Sequence, residues 1–144
     1  MPKLPESVLV VIYTPALDVL LLERADHPGF WQSVTGSRHA IDEPLRATCL
    51  REVAEETGFT PPAEQLDDWN VSHRFEIYEQ WRHRYAAGVT HNTEHVFGLC
   101  LPDRFEPRLN PLEHVAHRWL AWRNAADACF SWTNAEAIRR LGAL

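Results

Sequence analysis

Between Pro44 and Gly58 the chain carries a helix whose acidic residues point the wrong way for a solvated one. Asp42 or Glu43 stands where an N-cap belongs, Pro44 suits the first helical position and Gly58 suits the C-terminal stop. With about 100° of rotation per residue and Leu45 at zero, Glu52 falls at about −20°, Glu56 at about +20° and Cys49 at about +40°. Val53 lies at about +80° and Glu55 at about −80°. Two carboxylates therefore share the heading of the apolar residues, and a third flanks them. Like charges four residues apart destabilise even an exposed helix by roughly 0.2–0.5 kcal/mol, and partial burial adds to that cost. A hard divalent cation removes the conflict, because Mg²⁺ takes carboxylate oxygens and keeps waters and substrate phosphates in its shell. The plainer reading is a solvated acidic face paired with Arg46 and Arg51. Against it stand the crowding of the acids toward the apolar side, a strand that ends at Gly36 just before the helix, and the stop at Gly58.

The surroundings of this helix read as strands. Residues 7–13 form a continuous β-branched run that suits a buried strand, and residues 19–23 return after the turn at Thr14-Pro15. Residues 30–36 are extended and end at glycine. Further strand-like stretches cover residues 69–77, 78–85, 93–101 and 116–122, and residues 135–141 suggest a C-terminal helix. Strands with one central and one terminal helix predict an α/β fold with helices on both faces of a mixed sheet. A chain of 144 residues suggests one domain, 1–144. Such a chain buries about 68–70% of its unfolded surface without needing a disulfide.

Composition narrows the partners. The formal net charge of −6 argues against a nucleic acid polymer, which would want a basic stripe. It leaves room for a small anionic substrate, since a metal ion supplies local positive charge. Cys49, Cys100 and Cys129 form no CxxC pair and no disulfide framework, and no stretch is long enough to span a bilayer. These features point to the cytoplasm.

The segment Arg51-Glu52-Val53-Ala54-Glu55-Glu56-Thr57-Gly58-Phe59, with Glu43 ahead of it, resembles the signature of the Nudix hydrolases, G-x₅-E-x₇-R-E-U-x-E-E-x-G-U, over residues 36–59. One departure is visible: six residues, not five, separate Gly36 from Glu43, as if the loop had gained one. The resemblance implies an α/β/α sandwich around a central mixed sheet and hydrolysis of a phosphoanhydride. It makes Glu52 and Glu56 the expected metal ligands and Glu55 a further ligand or the general base. Arg51 would orient the carboxylates, with Glu43 as its partner, and Mg²⁺ would be the cofactor, with Mn²⁺ as a substitute.

Other segments resemble one branch of that family, the pterin triphosphate pyrophosphatases of bacterial folate biosynthesis. They include Phe30-Trp31-Gln32-Ser33-Val34-Thr35-Gly36-Ser37, Arg82-His83-Arg84-Tyr85-Ala86, Asn92-Thr93-Glu94 and Ser131-Trp132. The reaction this implies is 7,8-dihydroneopterin 3′-triphosphate to the monophosphate and pyrophosphate, with a deoxynucleoside triphosphate such as dATP as the alternative substrate. The implied substrate contacts are Lys3, Arg24, Thr35, Phe75, Glu76, Ile77, Tyr78 and Ser131. Glu113 would be an extra metal ligand or base outside the signature. Cationic Lys3 and Arg24 suit phosphates, and the faces of Phe75 and Tyr78 suit a planar ring.

Three further patterns carry less. His91-Asn92-Thr93-Glu94-His95 fits a zinc-protease motif, which needs a helix, whereas its neighbours read as a strand. His114 and His117 are expected on opposite faces of a regular strand. Arg82-His83-Arg84-Tyr85 is expected on a phosphate-facing or solvent-facing strand, and Trp69, Trp81, Trp119, Trp122 and Trp132 as core or edge packing.

Overall fold

The computed structural model describes residues 1–144. Seven strands form one sheet: β1 (Glu6–Tyr13), β2 (Asp18–Arg24), β3 (Trp31–Gln32), β4 (Val34–Ser37), β5 (Leu66–Glu76), β6 (His91–Cys100) and β7 (His114–Ala121). Along the sheet the order is β3-β2-β1-β6-β5, with β4 beside β1 and β7 beside β2. Only β1 and β6 run parallel; the other pairings are antiparallel. The edge of β1 is divided. It touches β2 at Tyr13–Val19 alone and pairs with β4 from Ser7 to Val10, so β2 swings away toward β7.

Alternation along the strands builds two cores. Val8, Val10, Ile12 and Phe97 face Cys49 and Val53 of α1 (Leu45–Thr57). Leu9, Val11 and Val96 face the other way, onto Ala125 and Ala126 of α2 (Trp122–Ala128) and Ala137 and Ile138 of α3 (Trp132–Arg139). The helices therefore cover both faces, as the sequence predicts.

α1 starts one residue later than the capping pattern implies. Pro44 stands at its N-cap and no side chain caps it. Glu43 is engaged elsewhere: its carboxylate accepts from the His39 amide at 2.9 Å and the Thr48 hydroxyl at 2.7 Å, and it pairs with Arg51. The helix ends as expected, with Gly58 left-handed at φ 73° and its N–H donated to Ala54 O at 2.9 Å.

Four local expectations need correction. Residues 79–84 are 3₁₀ turns, not a strand. Three residues per turn bring Tyr78 and Trp81 to one side, where their rings stack at 5.3 Å and 5°, while Arg82 Nε donates back to Ile77 O at 3.0 Å. Trp122 opens α2, a short alanine-rich helix with no long periodic stripe, instead of ending β7. A bulge between Glu23 and Arg24 shifts the β2–β7 register, so Leu22 faces His117 and Arg24 faces His114. Both histidines thereby fall on one face, where a regular strand would separate them. Finally, Trp81 and Trp132 line a cavity, whereas Trp69 packs over Gly98 and Trp119 lies edge-on to Phe105, as packing residues do.

Candidate active site

A cavity of about 700 Å³ opens where β4 leaves β1. Its walls come from α1, β4, the ends of β5 and β6, the 3₁₀ turns, the loop before β7 and the start of α3. Glu52, Glu55 and Glu56 line it, as do Lys3, Arg24, Thr35, Phe75, Glu76, Ile77, Tyr78, Glu113 and Ser131. Arg51 stands behind the lining.

The α1 end is built around Glu56, whose residue area is 2% exposed. Its Oε1 has no hydrogen-bond partner, and the Thr35 backbone supports the carboxyl. Burial, then the hydrogen-bonded Glu52 carboxyl, raise Glu56 well above the ordinary range, and burial raises Glu52 as well. His114 Nε2 stands 3.8 Å from Glu56 but brings no charge at neutral pH, because burial first and Arg24 next lower it to about 4.

Glu52 has its own cradle. A Cβ on Gly36 would lie 2.0 Å from Glu52 Cδ, so only glycine lets β4 pass this close with the Glu52 carboxylate where it stands. The longer loop leaves Gly36 in that place. Arg38 Nε donates to Glu43 O at 2.9 Å and Glu43 N to Ala40 O at 3.0 Å, so the extra residue is taken up in a turn.

Arg51 ties the acids together. It reaches Glu43 at 3.0 Å, Glu52 at 2.7 Å, Glu55 at 3.6 Å and the carbonyl of Ser37 at 3.1 Å. Glu55 remains 49% exposed at its side chain, open to solvent in the cavity.

No three acidic, histidine or cysteine side chains converge closely enough to enclose an ion by themselves. The donor set nevertheless suits Mg²⁺, which is held by one or two carboxylates and completes its shell with water and phosphate. A buried carboxylate oxygen without a partner is the group such an ion satisfies.

The other predicted residues are placed as follows. Arg24 forks onto Asp26 with two bonds of 2.8 Å and lies 4.2 Å over the Trp81 ring. Arg24 and Arg84 hold Asp26 down to about 2. Lys3 is bridged to Tyr85 through the backbone, and its ammonium lies 5.7 Å from that ring. Local desolvation, Arg84 and Arg24 lower its pKa. Ser131 caps α3, accepting from Thr133 N at 3.2 Å. Glu76 points to Arg82 at 2.8 Å, and Ile77 is buried.

Sequence reasoning passed over several lining residues. Phe130, edge-on to Tyr78 at 5.8 Å, joins Tyr78 and Trp81 in an aromatic wall. Arg84, expected on a phosphate-facing or solvent-facing strand, brings a cation to that wall from the 3₁₀ turns. Asn92 and Glu94 also line the cavity. Alternation could have found these two, since both share the parity of core-facing Val96 on β6.

Residues 3–141 match the NUDIX domain family. The dihydroneopterin triphosphate diphosphatase of Escherichia coli is 45% identical over 141 residues, covering 96% of this chain and 92% of that protein. The enzyme of the same name from Haemophilus influenzae is 41% identical over 138 residues, 94% of this chain and 85% of its own length. The solved structure of the E. coli dihydroneopterin triphosphate pyrophosphohydrolase superposes with a TM-score of 0.89 at 44% identity, covering 97% of this chain and 96% of the other.

Proposed function

The chain belongs to the NUDIX family, and from that premise we propose that it hydrolyses 7,8-dihydroneopterin 3′-triphosphate to dihydroneopterin monophosphate and pyrophosphate. Identity of 41–45% over most of each chain, to relatives bearing that activity in their names, supports the substrate. One observation in the fold carries the reading: a single cavity joins the carboxylates of α1 to a slot of aromatic rings.

Glu52 and Glu56 would hold Mg²⁺, or Mn²⁺ in its place, with Glu113 adding a carboxylate from the loop before β7. Bound there, the ion would neutralise phosphate oxygens and lower the pKa of a nearby water. The P–O bond between the α and β phosphates breaks, and one to the oxygen of water forms. Glu55, exposed in the cavity, takes the water's proton. Arg51 holds Glu52 and Glu55 at fixed bearings from behind. Lys3 and Arg24 meet the phosphates, Thr35 and Ser131 supply polar contacts, and residues 75–78 border the ring. We place the reaction in the cytoplasm, where Cys49, Cys100 and Cys129 stay free thiols.

The test is a panel of triphosphates assayed with Mg²⁺, scoring pyrophosphate against orthophosphate. The expected result is pyrophosphate release with the highest kcat/KM for dihydroneopterin triphosphate. Equal or better turnover of dATP transfers the assignment to a deoxynucleotide pyrophosphatase.

A further inference from the structure

The cavity has a second buried carboxylate, remote from α1. Register places Glu94 of β6 between Ser7 of β1 and His73 of β5, in the same row of the sheet. That row continues Leu9 and Val96, so it faces α3, while Glu52 and Glu56 approach from α1 on the opposite face.

Glu94 is 4% exposed, lines the cavity, and its Oε1 has no hydrogen-bond partner. No lysine, arginine or histidine pairs with it, in contrast to Glu43, Glu6 and Asp26. Two residues before it, Asn92 is 3% exposed and repeats the pattern. Its Nδ2 donates to Ser7 Oγ at 2.8 Å, which fixes the amide, and its Oδ1 is left without a partner. Phe75 stands opposite Asn92 across the β5–β6 ladder and also lines the cavity. Tyr78 and Phe130 continue the aromatic wall. Two unpaired acceptors therefore share one face of a strand beside surfaces that suit a flat ring.

A buried polar group without a partner is costly, and the matching ligand supplies what it lacks. A carboxylate only accepts hydrogen bonds, and its two oxygens match two neighbouring N–H donors in one plane. A ring N–H beside an exocyclic amine is such an edge. It occurs on 2-amino-4-oxo pyrimidine rings, which include pterins and guanine. Adenine offers an amine beside a ring nitrogen lone pair, which would face a carboxylate oxygen.

We propose that Glu94, with Asn92 beside it, is the specificity-determining residue that reads the 2-amino-4-oxo edge of the substrate's ring. The assignment rests on the pyrophosphohydrolase reading and deepens it, since it states why a pterin is taken and adenine refused. Burial holds the Glu94 carboxyl up at about 7, and the Thr133 side chain offsets part of that rise. A pair of N–H donors favours the charged form and completes the site.

The test separates ring reading from phosphate chemistry. Wild type is assayed with dGTP, dITP and dATP, which share phosphates and sugar, alongside dihydroneopterin triphosphate. dITP lacks only the 2-amino group of dGTP. The expected order of kcat/KM is dGTP over dITP by at least about tenfold, with dATP lowest, because a site built for a donor rejects analogues without it. Glu94→Gln should raise KM for dGTP and dihydroneopterin triphosphate at least about tenfold, leave kcat within about twofold and narrow the dGTP to dATP ratio. Equal use of dGTP and dITP by wild type overturns the proposal without needing any variant. A folded Glu94→Gln enzyme with unchanged ring selectivity overturns it as well. Poor cleavage of dihydroneopterin triphosphate, with Glu94-dependent preference for dGTP, would sink the pterin reading and uphold this one.

Discussion

Glu43 and Glu56 flank the same helix and live opposite lives. Glu43 lies at its start, forked by Arg51 and bonded to Thr48 and the His39 amide, and these donors hold its carboxyl down to about 2. Glu56 lies near its end, buried with one oxygen unpartnered, and its carboxyl is pushed well up. The first arrangement is complete without a ligand and reads as architecture. The second is complete only when something positive arrives. Acid count alone does not locate a site; the unsatisfied acids do.

The largest expected effect follows from removing the incomplete partner. Glu56→Gln keeps the shape and deletes the charge, so kcat should fall by on the order of a thousandfold or more. The same change removes a buried ionisable group whose charged form burial disfavours, so the thermal midpoint of the metal-free protein should hold or rise. A variant with near-normal turnover, or one that unfolds without metal, would break the contrast.

Next is Gly36→Ala. The added methyl collides with Glu52 Cδ, and the carboxylate must swing aside. Misplacing a reacting group by about 1 Å costs on the order of a hundredfold, so kcat should drop by that scale while circular dichroism stays unchanged. Unimpaired turnover would show that the cradle has no consequence for Glu52.

Glu43→Gln should cost less, about tenfold to a hundredfold in activity, because it loosens Arg51 and leaves the inner acids in place. It also sharpens the comparison through pH. A carboxyl lowered from 4.5 to about 2 in the folded protein lends stability that is fully present above 4.5 and is lost as pH falls through about 2. After solvent screening that contribution is about 1–2 kcal/mol. Denaturant titrations of wild type and Glu43→Gln should therefore converge between pH 4.5 and 2. A constant gap across that window would show that the pair is not what holds Glu43 down.

The same contrast explains what the sequence made legible. The heading of Glu52 and Glu56 came from helix periodicity, and the stop at Gly58 from glycine's tolerance of positive φ. Local pattern offered Asp42 or Glu43 as a cap, and only the family resemblance paired Glu43 with Arg51, because pattern alone does not tell an acid that caps a helix from one that stands before it and reaches Arg51. The turns at residues 79–84 were hidden because their conformation depends on Tyr78 stacking on Trp81, a contact between side chains that an apolar and polar pattern does not encode. The bulge beside Arg24 was equally invisible, since it appears only when β2 and β7 are paired. Asn92 and Glu94 were within reach through strand parity with Val96, but parity gives the face of a strand and not whether that face lines a cavity or a core.

Whether the unpartnered Glu56 is what holds the ion is read most directly from Mn²⁺ binding without substrate, measured by electron paramagnetic resonance on wild type, Glu56→Gln and Glu43→Gln. Wild type and Glu43→Gln should bind the ion with affinities within about a factor of ten, allowing for a loosened supporting shell, and Glu56→Gln should lose binding by a clearly larger factor. Undiminished binding by Glu56→Gln, or its loss in Glu43→Gln alone, would contradict that role for Glu56.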